Sequence, residues 1–215
     1  MSEPTPGGLR ERKKADTRRA LSDAALRLAL ENGIDQVTRE AIANLAGVSL
    51  RTFNNYFTGK YEALAYRQVE RLRLGIDALR ARPAGEPLWT SVTEAMLAPM
   101  EAELAEARGD ADDAPSRAEL AEIRKMLMNP EIRSAISKDL FDEWVHVIAE
   151  RSGTDPARDM YPRLVAAVMG AVGDAAMETY ATADPPVAIT TLYRQGMAAV
   201  AAGLPEPRPE GSKHA

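Results

Sequence analysis

The chain has 215 residues, 45% hydrophobic and 27% charged, with a net charge of −5 and no cysteine. This suits one large or two small globular domains, and it excludes disulfides, thiolate zinc sites and a cysteine nucleophile. No apolar run follows the positively charged start MSEPTPGGLRERKK, and none reaches the length of a membrane span, so a soluble, cytoplasmic protein without a membrane partner is expected.

Charge is unevenly distributed. Residues 1–60 hold ten Lys/Arg against seven Asp/Glu, and residues 61–215 hold seventeen against twenty-five. A small basic module joined to a larger acidic one follows, and RERKKADTRR gathers six of the positive charges, Arg10, Arg12, Lys13, Lys14, Arg18 and Arg19. By itself this is equally a solvated helix start or a nucleic-acid footprint.

Taken in order, the elements are helical. Leu21, Ala25, Leu28 and Ala29 recur at three- and four-residue spacing, predicting a first helix from about Lys14 to Asn32, stopped by Asn32-Gly33. Thr38 caps a short second helix that ends at Gly47, with Ala41, Ile42, Leu45 and Ala46 facing inward and Val48 filling the joint. Ser49 caps a third helix running to about Tyr56, and Thr58-Gly59 breaks it before a long helix from Lys60 to about Arg80. Strand signals are missing.

The second and third helices read as a helix-turn-helix, whose second helix enters the DNA major groove. On that helix Phe53 and Phe57 lie one turn apart and belong to the core. Leu50, Arg51, Asn54 and Asn55 occupy the remaining arc as candidate base contacts: Arg forks onto guanine, Asn pairs with adenine, and Leu meets a thymine methyl. Candidate phosphate contacts are Arg18, Thr38, Ser49, Thr52, Tyr56 and Lys60, whose hydroxyls and cationic groups flank that face; packing alone competes for Tyr56, and a solvated helix start for Lys60.

The run from Ala24 to Leu64 resembles the DNA-binding domain of the TetR family. Gly33, Thr38, Ile42, Ala43, Ala46, Gly47, Val48, Ser49, Thr52, Tyr56, Phe57, Lys60 and Leu64 stand at the family's pattern positions. Asn54 replaces a usual aromatic and Asn55 a frequent basic or small residue, both on the reading face. The resemblance implies a homodimer on a pseudo-palindromic double-stranded operator.

Beyond the linker RPAGEP, helical periodicity returns in LWTSVTEAMLAPMEAELAEA, RAELAEIRKMLM, PEIRSAISKDLFDEWVHVIAERSG and DMYPRLVAAVMGAVGDAAMETYAT, followed by a last helix from about Pro186 to Ala202. The segment ARGDADDAPS reads as an acidic mobile loop and LPEPRPEGSKHA as a disordered tail. The expected fold is all-α. Residues 1–9 form a disordered arm, 10–60 the helix-turn-helix domain, 61–203 an antiparallel helical bundle that includes the connecting helix 60–81 and serves ligand binding and dimerisation, and 204–215 the tail.

The second region resembles the ligand-binding domains of TetR regulators, and within them the branch typified by mycofactocin regulators, which implies an acyl-CoA-like effector. From the residues alone, Trp89, Met96, Met100, Met126, Phe141, Trp144, Met169 and Met177 are candidate pocket residues, since methionine and aromatic side chains suit an irregular apolar cavity. An ordinary core uses them too, and for the methionines the core is the first reading. Arg124, Lys125 and Arg133 are candidates for an anionic headgroup. Gly170, Gly173, Met197 and Val200 are candidate dimer-interface residues, because small residues let helix pairs approach across a two-fold axis.

No cofactor or metal is expected: His146 and His214 lie in no ligating spacing, and no phosphate loop or nucleophile elbow occurs. Asp139, Asp142 and Glu143 read as a solvated face rather than a catalytic cluster. The expected function is a ligand-responsive repressor, not an enzyme. The alternatives are an activator or ligand-independent regulator of the same fold, and a helical lipid carrier with a vestigial helix-turn-helix.

Overall fold

A computed structural model describes residues 6–107, 117–136, 138–185 and 187–206. Among them there is no strand. The helices are α1 (Pro6–Asn32), α2 (Arg39–Leu45), α3 (Leu50–Tyr56), α4 (Lys60–Ala81), α5 (Leu88–Ala107), α6 (Arg117–Leu127), α7 (Pro130–Ala135), α8 (Lys138–Ser152), α9 (Tyr161–Thr182) and α10 (Ile189–Ala201), with a 3-10 turn at Ile34–Gln36. The expected acidic loop at 108–116, most of the N-terminal arm and the end of the tail lie outside the described residues.

Two element boundaries differ from the sequence expectation. α1 begins at Pro6, well before Lys14. Residues 10–16 are exposed on every side, so that stretch carries no apolar period, and the signal starts only where Leu21 enters the core. The stretch from Pro130 to Gly153, read as one helix, is broken after Ala135: Ile136 has extended backbone, with φ −78° and ψ 103°. Asn129 caps the short α7, accepting from the backbone N–H groups of Glu131 and Ile132 at 2.9 and 3.2 Å.

The chain forms two compact units. The first holds α1 to α3, α4 as far as Leu74, α6, α7 and the start of α8 to Asp142; the second holds α4 from Gly75, α5, α8 from Glu143, α9 and α10. The expected boundary at residue 60 does not coincide with this division. Met126 of α6 and Ile132 of α7 are buried in the same cluster as Leu21, Ile42, Phe53 and Phe57, and burial of that kind leaves no local mark in the sequence.

In the second unit, Ile76, Leu79, Val92, Leu97, Val145, Ile148, Val165 and Met197 are buried. Gly75 lets α4 pass close to Trp144: a Cβ there would stand 2.9 Å from the indole Cζ2 and 3.3 Å from the Ala95 carbonyl oxygen. Gly196 serves α10 in the same way, since a Cβ would stand 2.6 Å from Val172 Cγ1.

The turn between α4 and α5 is tied by charge. Glu86 accepts from the Arg82 guanidinium and, at 2.7 Å, from the Ser91 hydroxyl, while Arg151 donates to the backbone carbonyls of Arg82 and Pro83. The bond from Arg82, then that from Ser91, holds the Glu86 carboxyl down at about 2. A carboxyl whose folded pKa lies below its unfolded value stabilises the fold above the unfolded pKa and loses that contribution as pH falls through the folded one. The tie is therefore expected to weaken between the ordinary carboxylate range and pH 2. Thermal unfolding against pH checks this: Glu86→Gln should remove that part of the acid dependence and leave neutral and alkaline behaviour parallel to the parent.

Candidate nucleic-acid interface

α3 is positioned by a local cap and by its own buried face. The Ser49 hydroxyl accepts from the Thr52 backbone N–H at 3.1 Å and pairs with the Thr52 hydroxyl at 2.9 Å. Phe53 is fully buried and Phe57 nearly so, their ring centroids 5.9 Å apart, with Tyr66 edge-on to Phe57 at 5.7 Å. One side of α3 is thereby fixed in the core, and its other side is presented.

That presented side carries the four candidate base-contact residues together. Arg51, Asn54 and Asn55 are exposed, and Leu50 is at the edge of exposure. No acidic residue lies on α3, so nothing on this helix repels a phosphate backbone. Arg and two Asn supply the donor and acceptor forks that match guanine and adenine edges.

The preceding half of the motif is built as the sequence suggests, with one change. Thr38 caps α2, its Oγ1 accepting from the Ala41 N–H at 3.1 Å, and Gly47 makes the bend with φ +68°, a region that disfavours a side chain. Leu45, expected inside, is 42% exposed, and Ala43 is buried in its stead beside Ile42. A helix of only two turns has a narrow buried face, and its last residue lies off it.

The flanking candidates have distinct surroundings. Thr38 and Ser49 are exposed, and each hydroxyl accepts from its helix's first turn; this leaves the Thr38 proton for a further acceptor, while one proton of the Ser49–Thr52 hydroxyl pair is shared between them. Thr52 and Tyr56 are half-buried, and Tyr56 packs against the core cluster. Lys60 donates to the carbonyls of Ile34 at 3.1 Å and Asp35 at 3.4 Å and lies 5.3 Å from the Tyr61 ring centroid. Its ammonium thus closes the 3-10 turn, which the sequence reading did not foresee. Arg18 is half-buried with its Nε buried and unpaired. Its charge opposes the upward shift of the Tyr66 hydroxyl, which is caused first by burial and then by Glu70.

Two further contacts within this unit had no sequence signal. Glu62 accepts from both the backbone N–H and the hydroxyl of Thr58, at 2.6 and 2.8 Å, closing the start of α4. Lys125, considered above for an anionic headgroup, is bonded at 3.0 Å to Asp35 of the 3-10 turn, ninety residues away in sequence.

The remaining candidates are divided between the units. Met126 is buried in the first unit's core, and Phe141 of the same unit is 39% exposed. Trp89, Met96, Met100, Trp144, Met169 and Met177 belong to the second, with Trp144 and Met169 buried and the others half-buried. Of the interface candidates, Gly170 is exposed with open space around it, Val200 is half-buried, and Gly173 faces the Tyr193 ring. Met197 is buried within its own unit. No group of three or more potential metal ligands occurs among the described residues, and no described helix is long and apolar enough to cross a membrane.

Comparison with known proteins gives concordant results. Residues 21–65 match the family described as bacterial regulatory proteins, tetR family, and residues 86–205 match the MftR C-terminal domain. The chain is 33% identical over 190 residues to the HTH-type transcriptional regulator TcmR of Streptomyces glaucescens, covering 85% of this chain and 81% of that protein. Its fold is similar to that of Thermus thermophilus FadR, a repressor solved in complex with lauroyl-CoA, with a TM-score of 0.54, 17% identity, and coverage of 92% and 100% of the two chains. It is also similar to NalD, the secondary repressor of the MexAB-OprM multidrug efflux pump in Pseudomonas aeruginosa, with a TM-score of 0.57, 20% identity, and coverage of 89% and 97%.

Proposed function

The chain belongs to the TetR family of bacterial transcriptional regulators, and from that premise we propose a homodimeric repressor that leaves its operator when an apolar or acyl-CoA-like effector binds. The family assignment makes it a DNA-binding regulator with a helix-turn-helix and a ligand-binding C-terminal domain. The finer reading is carried by one observation: Arg51, Asn54 and Asn55 are presented together on the face of α3 opposite the buried Phe53 and Phe57.

In this reading two copies of α3 enter successive major grooves of a pseudo-palindromic site, Leu50, Arg51, Asn54 and Asn55 meet base edges, and Arg18, Thr38, Ser49, Thr52, Tyr56 and Lys60 hold phosphates. Dimerisation uses the exposed stripe Leu164, Ala167, Ala171 and Ala175 on α9, around Gly170, whose small side chains allow close approach. Gly173 and Met197 serve the packing of α9 and α10 within one chain.

An acyl effector is supported by the MftR-type match and by the fold neighbour that holds lauroyl-CoA. To release DNA it must bind the non-DNA-binding state more tightly; moving a population from 1:99 to 99:1 requires roughly 5.5 kcal/mol of difference. Activation in place of repression uses the same interface.

The test is selection of bound sequences from a random duplex pool, with and without lauroyl-CoA. A pseudo-palindromic motif that is depleted by lauroyl-CoA is the expected result. A motif indifferent to it removes the acyl-CoA effector and leaves the regulator, and no enriched motif at modest salt overturns the operator reading.

A further inference from the structure

Three buried polar atoms of the second unit, Trp144 Nε1, Arg151 Nε and the Tyr193 hydroxyl, have no partner among the described residues, and the first and last belong to residues that are themselves buried. Trp144, on α8, is 5% exposed and Tyr193, on α10, 3% exposed, yet the indole Nε1 and the phenol oxygen make no hydrogen bond. The indole N–H only donates, and the hydroxyl donates or accepts. Burial without a partner is costly for either group, and native interiors rarely leave one so. The other buried polar residues of this unit are satisfied: the Ser91 hydroxyl lies 2.7 Å from Glu86, and that of Thr93 donates to the Trp89 carbonyl at 2.6 Å.

The two side chains are related through α5. The edge of the Trp144 ring next to Nε1 lies at Gly75, where the Ala95 carbonyl also converges. Tyr193 precedes Arg194, whose guanidinium is bonded to Glu94 and, at 3.0 Å, to Glu101. Successive residues of α5 thus stand at these two places, Ala95 by the Trp144 ring edge and Glu94 bonded to the residue after Tyr193. Gly75 is what admits the indole, and a glycine inside a helix is unfavourable unless such a close approach requires it.

The surroundings specify what can approach these atoms. No residue of this unit in the buried class carries a charge among the described residues. Arg151, partly exposed, is held through Nη1 and Nη2 by the carbonyls of Arg82, Pro83 and Glu86, while its Nε is buried without a partner. The Tyr193 pKa is raised by burial alone, with no charged neighbour offsetting it.

We infer that the part of the effector that enters this unit is neutral and largely apolar, with carbonyl or hydroxyl oxygens that accept hydrogen bonds from Trp144 Nε1–H and the Tyr193 hydroxyl. This rests on the proposed effector-binding role of the C-terminal helices and adds to it the chemistry of recognition. A pure hydrocarbon leaves both donors unpaired, and an ionised group buried there meets no charged residue of the buried class among the described residues. A carbonyl within an apolar frame satisfies the donors and fits the apolar walls.

The test uses the full chain with a matched pair of probes, 2-undecanone and undecane. Tyrosine-to-phenylalanine exchange at 193 removes only the hydroxyl. The expected result is that the ketone-to-hydrocarbon affinity ratio falls about fivefold or more in Tyr193→Phe, the size of one lost hydrogen bond. The ketone should also red-shift tryptophan emission where undecane does not, and Trp144→Phe should abolish that shift. In the empty protein, Tyr193→Phe should leave Tm unchanged or raise it, because an unpaired buried hydroxyl is removed.

Several results overturn the inference. An affinity ratio unchanged by Tyr193→Phe shows that the hydroxyl does not meet the ligand. A lowered Tm in the empty variant shows that the hydroxyl is already satisfied, for example by buried water. Equal binding of both probes by the parent with no spectral shift removes the polar anchor and leaves an apolar effector in place. Binding of neither probe removes both the inference and the apolar-effector reading beneath it.

Discussion

Phe53→Ala is expected to abolish operator binding and to cost about 3–5 kcal/mol of stability. Phe53 is fully buried in the cluster formed by α1 to α4 with α6 and α7, and its ring contacts Phe57, which in turn contacts Tyr66. Truncation leaves a void under the one face that seats α3, and a helix of seven residues has no means of forming without that seat. Since a typical domain is stable by only about 5–15 kcal/mol, the loss consumes much of the margin. Urea unfolding followed by circular dichroism and an operator titration measure the two effects together. Asn55→Ala is the control on the exposed side of the same helix, with stability expected within about 0.5 kcal/mol of the parent. If Phe53→Ala bound operator within about threefold of the parent at 25 °C, a shift under 1 kcal/mol, the seat would have to be supplied elsewhere.

The parts of this fold that were legible in the sequence are those decided within one or two helical turns. Thr38 and Ser49 announce α2 and α3 because a cap is a bond between residues three apart. Phe53 and Phe57 announce the buried side of α3 because their four-residue spacing places them on one face, and the polar residues between them then have to be on the other. Gly47 announces the bend because its positive φ suits glycine.

What was not legible depends on partners distant in sequence or on the absence of burial. The first turns of α1 are surrounded by solvent and so show no apolar period. The break at Ile136 falls in a stretch whose composition is as helical as its flanks. Met126 reads first as core and second as pocket, and only the packing of α6 and α7 shows that the core it joins is that of Leu21, Ile42, Phe53 and Phe57. Lys60 is the sharpest case. Its position at the start of α4 suggested a phosphate contact, whereas its ammonium is bonded to the Ile34 and Asp35 carbonyls twenty-six and twenty-five residues earlier. Lys125 binds the same turn through the Asp35 carboxylate. No periodicity relates these residues.

Those bonds make the contrast between Arg51 and Lys60 informative. Arg51→Ala is expected to lower affinity for the selected operator by about 1–3 kcal/mol, relax preference at one base pair in each half-site, and leave binding to unrelated duplex nearly unchanged. Its side chain is exposed on the presented face of α3, so the loss should appear in sequence choice and not in Tm. Lys60→Ala is expected to weaken binding to all sequences and to reduce the slope of log affinity against log salt by about one. A lysine that only closes the 3-10 turn behaves differently: its removal lowers Tm, and any loss of affinity keeps the parental salt slope, because no counterion release is forfeited. Salt titrations of parent, Arg51→Ala and Lys60→Ala on operator and unrelated duplex separate these outcomes. If the slope falls and Tm also falls, the ammonium serves both acceptors in turn, holding the Ile34 and Asp35 carbonyls in the free protein and exchanging them for phosphate on DNA. If Lys60→Ala changes base preference while the slope stays fixed, the phosphate role is excluded, and the lysine acts on recognition through the position of α3.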